Sequence, residues 1–314
     1  MLLYAIQRMG LAVLIIITSM TMLFSAVRLL PGDPAVIMLG PRATEEMRAR
    51  ITAELQLDQS LFTQLLTFFG RILQGNLGND LWSQRPVATM VLESLPHTLV
   101  LIAAGLGWAA LLGIPLGCYA AVRRNTAIDK ITGVISVGAI SIPSFVVGIY
   151  AILLFSIQLR WLPAMGGGEH GDPLSQARHL LMPAFALGLG WVGYLARIVR
   201  ASMLEVMGEN HIRTARANGL PEMRIIGSYA LRIAILPTIT LLAVAIGGLL
   251  SGAVIVEAIF ARPGIGKLIV DAASARNFQL LQGSVLVVVA LYALVMPIAD
   301  LLVAWLDPRV RARL

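Results

Sequence analysis

Three short stretches of the chain hold residue types that could do chemistry. The first is "ARPGIGKLI", residues 261–269, whose glycines and lysine suggest a phosphate cradle. Such a cradle needs G-x-x-x-x-G-K-[ST], so that backbone N–H groups hold phosphates and a hydroxyl binds magnesium. Aligning Gly266-Lys267 puts Ala261 where the first glycine belongs and Leu268 where the hydroxyl belongs. The stretch fails the pattern, and the chain is not expected to hydrolyse ATP alone. The second is the outer-loop set Glu169, His170 and Asp172, which could touch a metal. Zinc sites show tighter Cys/His patterns, so a solvated polar loop is the better reading. No nucleophile elbow or H-E-x-x-H is present, and no catalytic, cofactor-binding or metal-binding residue is assigned.

The third is "HIRTARANGLPEMR", residues 211–224, a polar helix broken by Gly219 and Pro221. It stands out because only 13% of the 314 residues are charged and 58% are hydrophobic, with a mean hydropathy of +0.82. So few charges could not cover a soluble protein of this size, and the apolar residues gather into runs of bilayer length, about 20 residues. Six runs qualify, at roughly 9–29, 95–122, 132–157, 179–200, 237–260 and 282–306. The net charge of +7 is explained by arginines and lysines held on the cytoplasmic side, and no basic stripe with interleaved aromatics points to nucleic acid. The apolar run after Arg8 lacks a small-x-small cleavage site, so it is read as a retained first helix. The single cysteine, Cys118, makes no internal disulfide and says nothing of the redox compartment.

Orientation follows from the short loop after the second run. Arg123, Arg124 and Lys130 against Asp129 mark it as cytoplasmic. Counting crossings then places both termini, residues 201–236 and the tail arginines Arg309, Arg311 and Arg313 on the inside, and residues 31–93 outside. That outer region is expected to form two or three short amphipathic helices. Asp33 before Pro34 opens one; Met47, Ile51 and Leu55 pattern a second; Leu61, Leu65, Phe68 and Ile72 pattern a third. Pro115, Pro143, Pro183 and Pro297 can kink spans. Gly113 with Gly117, and Gly248 with Gly252, would let helices pack closely. Glu257 and Asp300 fall near the ends of spans five and six, where a buried acid costs less than the roughly 2.5–3.5 kcal/mol of mid-bilayer. A proton-coupled carrier would place acids near the midplane, and none is clearly there.

Residues 203–217 are expected to form one helix interrupted only by Gly208. Gly219 suits a left-handed C-cap and Pro221 the first position of the next helix. From there Leu220, Met223, Ile226, Ala230 and Ile233 make an apolar stripe. The segment therefore reads as a helix–turn–helix at the cytoplasmic membrane surface, with small residues Ala215, Ala217 and Gly219 leaving room for a partner. An ordinary interfacial helix remains the alternative.

The chain resembles the permeases of binding-protein-dependent ABC importers, in the branch serving dipeptides, oligopeptides and nickel. The resemblance runs nearly end to end, through "RLLPGDPA", "LQLDQSLFTQ", "SQRPVATMV", "SIPSFVVG", "RASMLEVMGENHIRTARANGL", "LRIAILPTIT", "EAIFARPGIGKLIVDA" and "DLLVAWLDPRVR". It implies an all-α membrane protein of the type I importer fold: residues 1–94 as the first helix plus the outer region, 95–306 as a five-helix transmembrane domain with the EAA loop at about 203–237, and 307–314 as a cytoplasmic tail. It implies that Arg213, Thr214, Ala215, Arg216, Ala217, Gly219 and Leu220 form a coupling helix that docks on a cytosolic ATPase. Matched on Gly219, this chain has Arg213, Thr214 and Ala215 where the general pattern starts with Glu-Ala-Ala, Asn218 replaces a usual basic residue, and the spacing to Pro237 is longer. Ser141, Pro143, Ser144 and Glu257 are the gate or pathway candidates. Partners implied are a second homologous permease, two ATPase subunits carrying ATP and magnesium, an extracytoplasmic substrate-binding protein and membrane lipids. Nickel chelates or glutathione are the alternative cargo. An ion-coupled carrier or an intramembrane enzyme would be the alternatives of another class; the first should show essential acids, the second a nucleophile or metal set.

Overall fold

Residues 2–29, 44–54 and 58–306 are described in the computed structural model, and every named element among them is a helix. α1 spans Leu2–Arg28, α2 Glu45–Glu54 and α3 Leu61–Leu73. α4 spans Val87–Val122, α5 Ala127–Ser141 and α6 Ser144–Ala151, the last running into a π-helical segment, Ile152–Gln158. α7 covers Pro173–Met207 and α8 Asn210–Ala217. A short α9, Glu222–Arg224, passes into a second π-helical segment, Ile225–Ala230, and then α10, Leu231–Ala234. α11 (Leu236–Ile259), α12 (Ile265–Ser274) and α13 (Phe278–Leu306) complete the order. Asp33, Pro34, Leu55 and the 307–314 tail lie outside the described residues, as do the side chains of Met47, Ile51 and Asp300.

α1, α4, α7, α11 and α13 are each long and apolar enough to cross a bilayer, and the bent pair α5–α6 makes six if counted as one span. The expected third span, 132–157, is thus not one straight helix. It breaks at Ile142–Pro143 and turns through 95°. Proline has no N–H to continue the ladder and pushes the preceding residue to extended backbone; Ile142 sits at φ −90°, ψ 119°. Pro115 and Pro183, by contrast, lie inside continuous helices.

Two spans start earlier than their apolar runs. α4 begins at Val87 because Val87 and Val91, one helical turn apart, are buried against Ile265, Ala272 and Leu280. α7 begins at Pro173 because Asp172 is its N-cap: Oδ1 accepts from Leu174 N at 2.9 Å and Ser175 N at 3.2 Å. Asp172, a candidate metal ligand by sequence, therefore serves the helix. With 36 and 35 residues, α4 and α7 are some 50 Å long at 1.5 Å per residue, against roughly 30 Å of hydrocarbon. Both must project beyond the membrane.

α7 is the axis of the bundle. It packs against α4, α5, α6 and α11, and Trp108 Nε1 of α4 donates to Ala184 O at 2.7 Å. Backbones approach closely at two flanks. A Cβ added to Gly117 of α4 would lie 2.5 Å from Ala196 O, and one added to Gly193 of α7 would lie 2.5 Å from Ser136 O of α5. Only glycine allows these contacts. The main apolar cluster joins Leu101, Leu187, Leu249, Val256 and Phe260. A second sits at the other end of α7, beneath α8.

Candidate functional site

The helix expected over 203–217 is interrupted at Gly208. α7 ends at Met207, and α8 restarts at Asn210 after Glu209, whose extended backbone (φ −69°, ψ 153°) interrupts the helix. Ile212 and Ala215, three residues apart, face inward at 0% and 5% exposure. They join Ala121 of α4, Val199, Met203 and Val206 of α7, and Ile225, Ala230 and Ala234 beyond the turn. Ala215 is thus committed to the chain's own core. Arg213, Thr214, Arg216, Ala217 and Gly219 are exposed, and Leu220 is half-buried.

The turn closes as a Schellman motif. Leu220 N donates to Ala215 O at 3.3 Å and Gly219 N to Arg216 O at 2.9 Å. Gly219 takes φ +72°, as its C-cap role requires, and a Cβ there would meet nothing within 4 Å. Pro221 is the residue before α9 and not its first position, with ψ 140°. Across the turn Arg216 grips Glu222, Nη2 to Oε1 at 2.7 Å and Nε to Oε2 at 3.3 Å. This bond holds the Glu222 carboxyl below the usual carboxylate range. Both side chains are exposed, so the pair is screened by solvent. The charge of Arg216 is already met within the chain.

The expected apolar stripe of Leu220, Met223, Ile226, Ala230 and Ile233 is met in part: Ala230 is buried and Leu220 and Ile226 pack half-buried against the same cluster. Met223 is 82% exposed and Ile233 44%, whereas Ile225, Ala230 and Ala234 are buried. The cause is the π-helical segment, whose wider turn puts residues five apart, Ile225 and Ala230, on one face before the four-residue step to Ala234 resumes. The same end carries a brace invisible in the sequence. Arg200 of α7 forms a two-pronged ion pair with Asp129 of α5, one prong being Nη2 to Oδ2 at 2.8 Å. Asp129 Oδ2 also accepts from Asn125 N at 2.9 Å, fixing the turn between α4 and α5. Seventy-one residues separate the partners, and only the fold unites them.

At half the depth of α7, the break between α5 and α6 opens a cleft of about 370 Å³, walled by Pro143, Ser144, Leu187, Trp191, Tyr194 and Gly248 among others. Two pathway candidates, Pro143 and Ser144, line it. Ser141 does not; its hydroxyl donates to Val137 O at 2.8 Å along its own helix. Glu257 is elsewhere too, at 0% exposure in the corner between α11 and α12. Its Oε2 accepts from Gly266 N at 2.7 Å and Lys267 N at 3.4 Å. Ile265 N donates to Thr98 Oγ1 of α4 at 2.9 Å. The stretch that looked like a phosphate cradle thus cradles the chain's own carboxylate, at the positive end of α12. Arg262 is buried beside it at 3% exposure, with Nε and Nη1 lacking a partner among the described residues. The corner has no room: a Cβ at Gly264 would fall on the Glu257 carboxylate.

The chain matches the family described as binding-protein-dependent transport system inner membrane component over residues 113–312, and that family's N-terminal component over residues 1–102. It is 35% identical to the di/tripeptide transport system permease protein DppB of Pseudomonas aeruginosa, with 99% of each chain covered. It is 34% identical to the glutathione transport system permease protein GsiC of Escherichia coli K12, again over 99% of each. Among solved structures, a chain of the inward-facing MetNI methionine ABC transporter matches with a TM-score of 0.57 at 17% identity, over 69% of this chain and 96% of that one. That likeness speaks for the fold.

Proposed function

This chain belongs to the binding-protein-dependent transport system inner membrane component family, and from that premise we propose that it forms half of the pathway through which an ATP-driven importer carries small peptides inward. A permease of this kind works with an ATPase and a substrate-binding protein. In the proposed assembly a second, homologous permease closes the other side of the cleft at Pro143 and Ser144. Two cytosolic ATPase subunits hold ATP and magnesium. The binding protein delivers cargo from outside, the residue 31–93 side. Both termini are cytoplasmic.

The coupling surface is the outward face of α8 and its turn: Arg213, Thr214, Ala217 and Gly219. Ala215 and Leu220 serve it from beneath, as the apolar contacts that tie the turn to the bundle. Movement of a docked ATPase would pass through Ile212 and Ala215 to the ends of α4 and α7, and along α7 to the cleft. Alternating access follows if the helices around the cleft reorient as the ATPases close and open.

The observation that carries the peptide reading is the 35% identity to a di/tripeptide permease along 99% of both chains. The nearly equal identity to glutathione permeases supports a second, narrower reading, with glutathione as the peptide-like cargo. Reconstitution of the chain with its partner subunits in proteoliposomes separates them. ATP-dependent uptake of labelled dialanine is the expected result; uptake of glutathione alone would move the assignment to the second reading. Uptake driven by an ion gradient without ATPases would overturn both.

A further inference from the structure

The first turns of α7, at the opposite end of that helix from the coupling turn, wall a cavity of about 480 Å³. Along α7 it lies roughly 20 Å from the cleft. Three pieces of backbone build it. Arg160 and Trp161 follow the π-helical segment Ile152–Gln158; Arg160 takes φ +55°, and Trp161 N donates to Phe155 O at 2.8 Å. Glu169 comes from the loop before α7, and that loop is pinned to the helix. Glu169 N donates to Ser175 Oγ at 3.1 Å, Gln176 Nε2 donates to Glu169 O at 3.2 Å, and a Cβ at Gly168 would lie 2.6 Å from Gln176 Cα. Arg178 stands on α7 itself, with Nη2 donating to Trp161 O at 3.3 Å.

The charges in this cavity are left over from folding. Asp172, which also lines it, is occupied by its cap of α7. Glu169, Arg160 and Arg178 form no ion pair among the described residues, although all three line the one cavity. The pocket therefore keeps a carboxylate and two guanidiniums apart. Trp161, 61% exposed, and Leu174, 70% exposed, add apolar surface to the same lining. A simple anion or cation would leave one sign of charge unmet. A ligand that meets all of them carries an ammonium, a carboxylate and a small apolar body. The volume falls in the range of small-molecule sites, about 300–1,000 Å³, in which a few fixed polar groups orient the ligand. The cleft at Pro143 and Ser144 offers no such groups, since no charged residue lines it among the described residues.

We propose that this cavity binds a short zwitterionic peptide by its two ends, the ammonium at Glu169 and the terminal carboxylate at Arg160 and Arg178, with the peptide's side chains against Trp161 and Leu174. Guanidinium groups suit a carboxylate by geometry as well as charge. The inference rests on the small-peptide reading of the cargo and deepens it: the termini are recognised here, and the uncharged cleft gives passage.

The test is isothermal titration calorimetry of the purified importer in lipid nanodiscs, without its binding protein, against dialanine, N-acetyl-dialanine and dialanine amide. Wild type should bind dialanine, and blocking either end should weaken binding about tenfold. Glu169→Gln should abolish the preference for the free amine and keep that for the free carboxylate. Arg160→Gln with Arg178→Gln should do the reverse, and Arg160→Lys with Arg178→Lys should restore most of the carboxylate preference, a rescue that a merely structural role would not give. Absence of dialanine binding to wild type, or equal binding of the three peptides, overturns the proposal without recourse to any variant. Unchanged preferences in the folded variants also overturn it, by placing the peptide elsewhere. So does weakened docking of the binding protein in variants whose peptide preferences are intact, which assigns these charges to a protein contact. Dialanine uptake by the complete importer without this binding sinks the site and spares the peptide reading; binding without dialanine uptake supports the site and tells against that reading.

Discussion

The chain turns sharply at Gly219 and again at Gly264, at opposite ends of the molecule, and the two glycines are there for opposite reasons. Gly219 needs φ +72° and has nothing within 4 Å of where a side chain would begin. Gly264 has an ordinary extended backbone, φ −99° and ψ 176°, and has no space at all, because the Glu257 carboxylate fills it. One turn is held by its own backbone and leaves a bare surface. The other is held by a buried acid and is sealed. An open turn over a packed apolar floor suits contact with another protein; a sealed corner suits keeping α12 fixed against α4 and α13.

The contrast can be broken or sharpened by substitution. Gly264→Ala should have the largest effect on stability, about 3 kcal/mol, since overpacking a locked site costs roughly 1–3 kcal/mol and here also displaces a buried carboxylate from its N–H donors. Thermal unfolding of the detergent-solubilised chain measures it, and an unchanged midpoint would show the corner to be looser than its geometry. Asp129→Asn tests whether the open end depends on a hidden brace. It should lower the unfolding midpoint more than Arg216→Gln does, because the Asp129 side chain is 7% exposed and its Arg200 partner 32%, against 42% and 50% for Arg216 and Glu222. A smaller loss than that of Arg216→Gln would place the anchorage of that end in the apolar floor alone.

Gly219→Val should cost about 1 kcal/mol or a little more for the positive φ, yet remove transport. The readouts are uptake and co-purification of ATPase subunits, with membrane abundance as control. Full uptake with normal ATPase retention would make α8 an interfacial helix and end the comparison. Arg216→Gln should be the mildest, within about 0.5 kcal/mol, because its bond to Glu222 is exposed. That small contribution has a pH sign. Glu222 is held below its usual range, so the pair's contribution is present above the unfolded carboxylate value, about 4.3, and fades as pH falls through the lower folded value.

What could be read from sequence tracks how far apart the partners are along the chain. Apolar runs announce spans because a bilayer demands length from one continuous segment, and Gly219 announces its cap because the motif closes within six residues, Ala215 to Leu220. The bend at Ile142–Pro143 is also local, but a proline alone does not say whether its helix kinks or runs on, as α4 does through Pro115. After the turn a π-helical segment changes the helical period, so an even apolar stripe marks Ala230 but not Ile225 and Ala234 as the buried face. Glu257 looked available for a pathway because an acid near the end of a span carries no mark of which N–H groups will claim it. The Asp129–Arg200 brace joins two elements far apart in the chain, and no spacing rule reaches that far.

The close approaches along α7 have a kinematic consequence. At Ala196 it meets the backbone notch of Gly117 on α4, and its own notch at Gly193 receives Ser136 of α5. An axial slide of α7 would move the gap at Gly193 off Ser136 and bring the flanking side chains of α7 toward that backbone. Axial sliding is therefore closed to α7, and the freedom left is to tilt or swing together with α4 and α5 as one body. A push at the end of such a body reaches its middle as rotation about a fulcrum, so a small displacement at α8 and the opening of a cleft halfway along α7 are two arms of one lever.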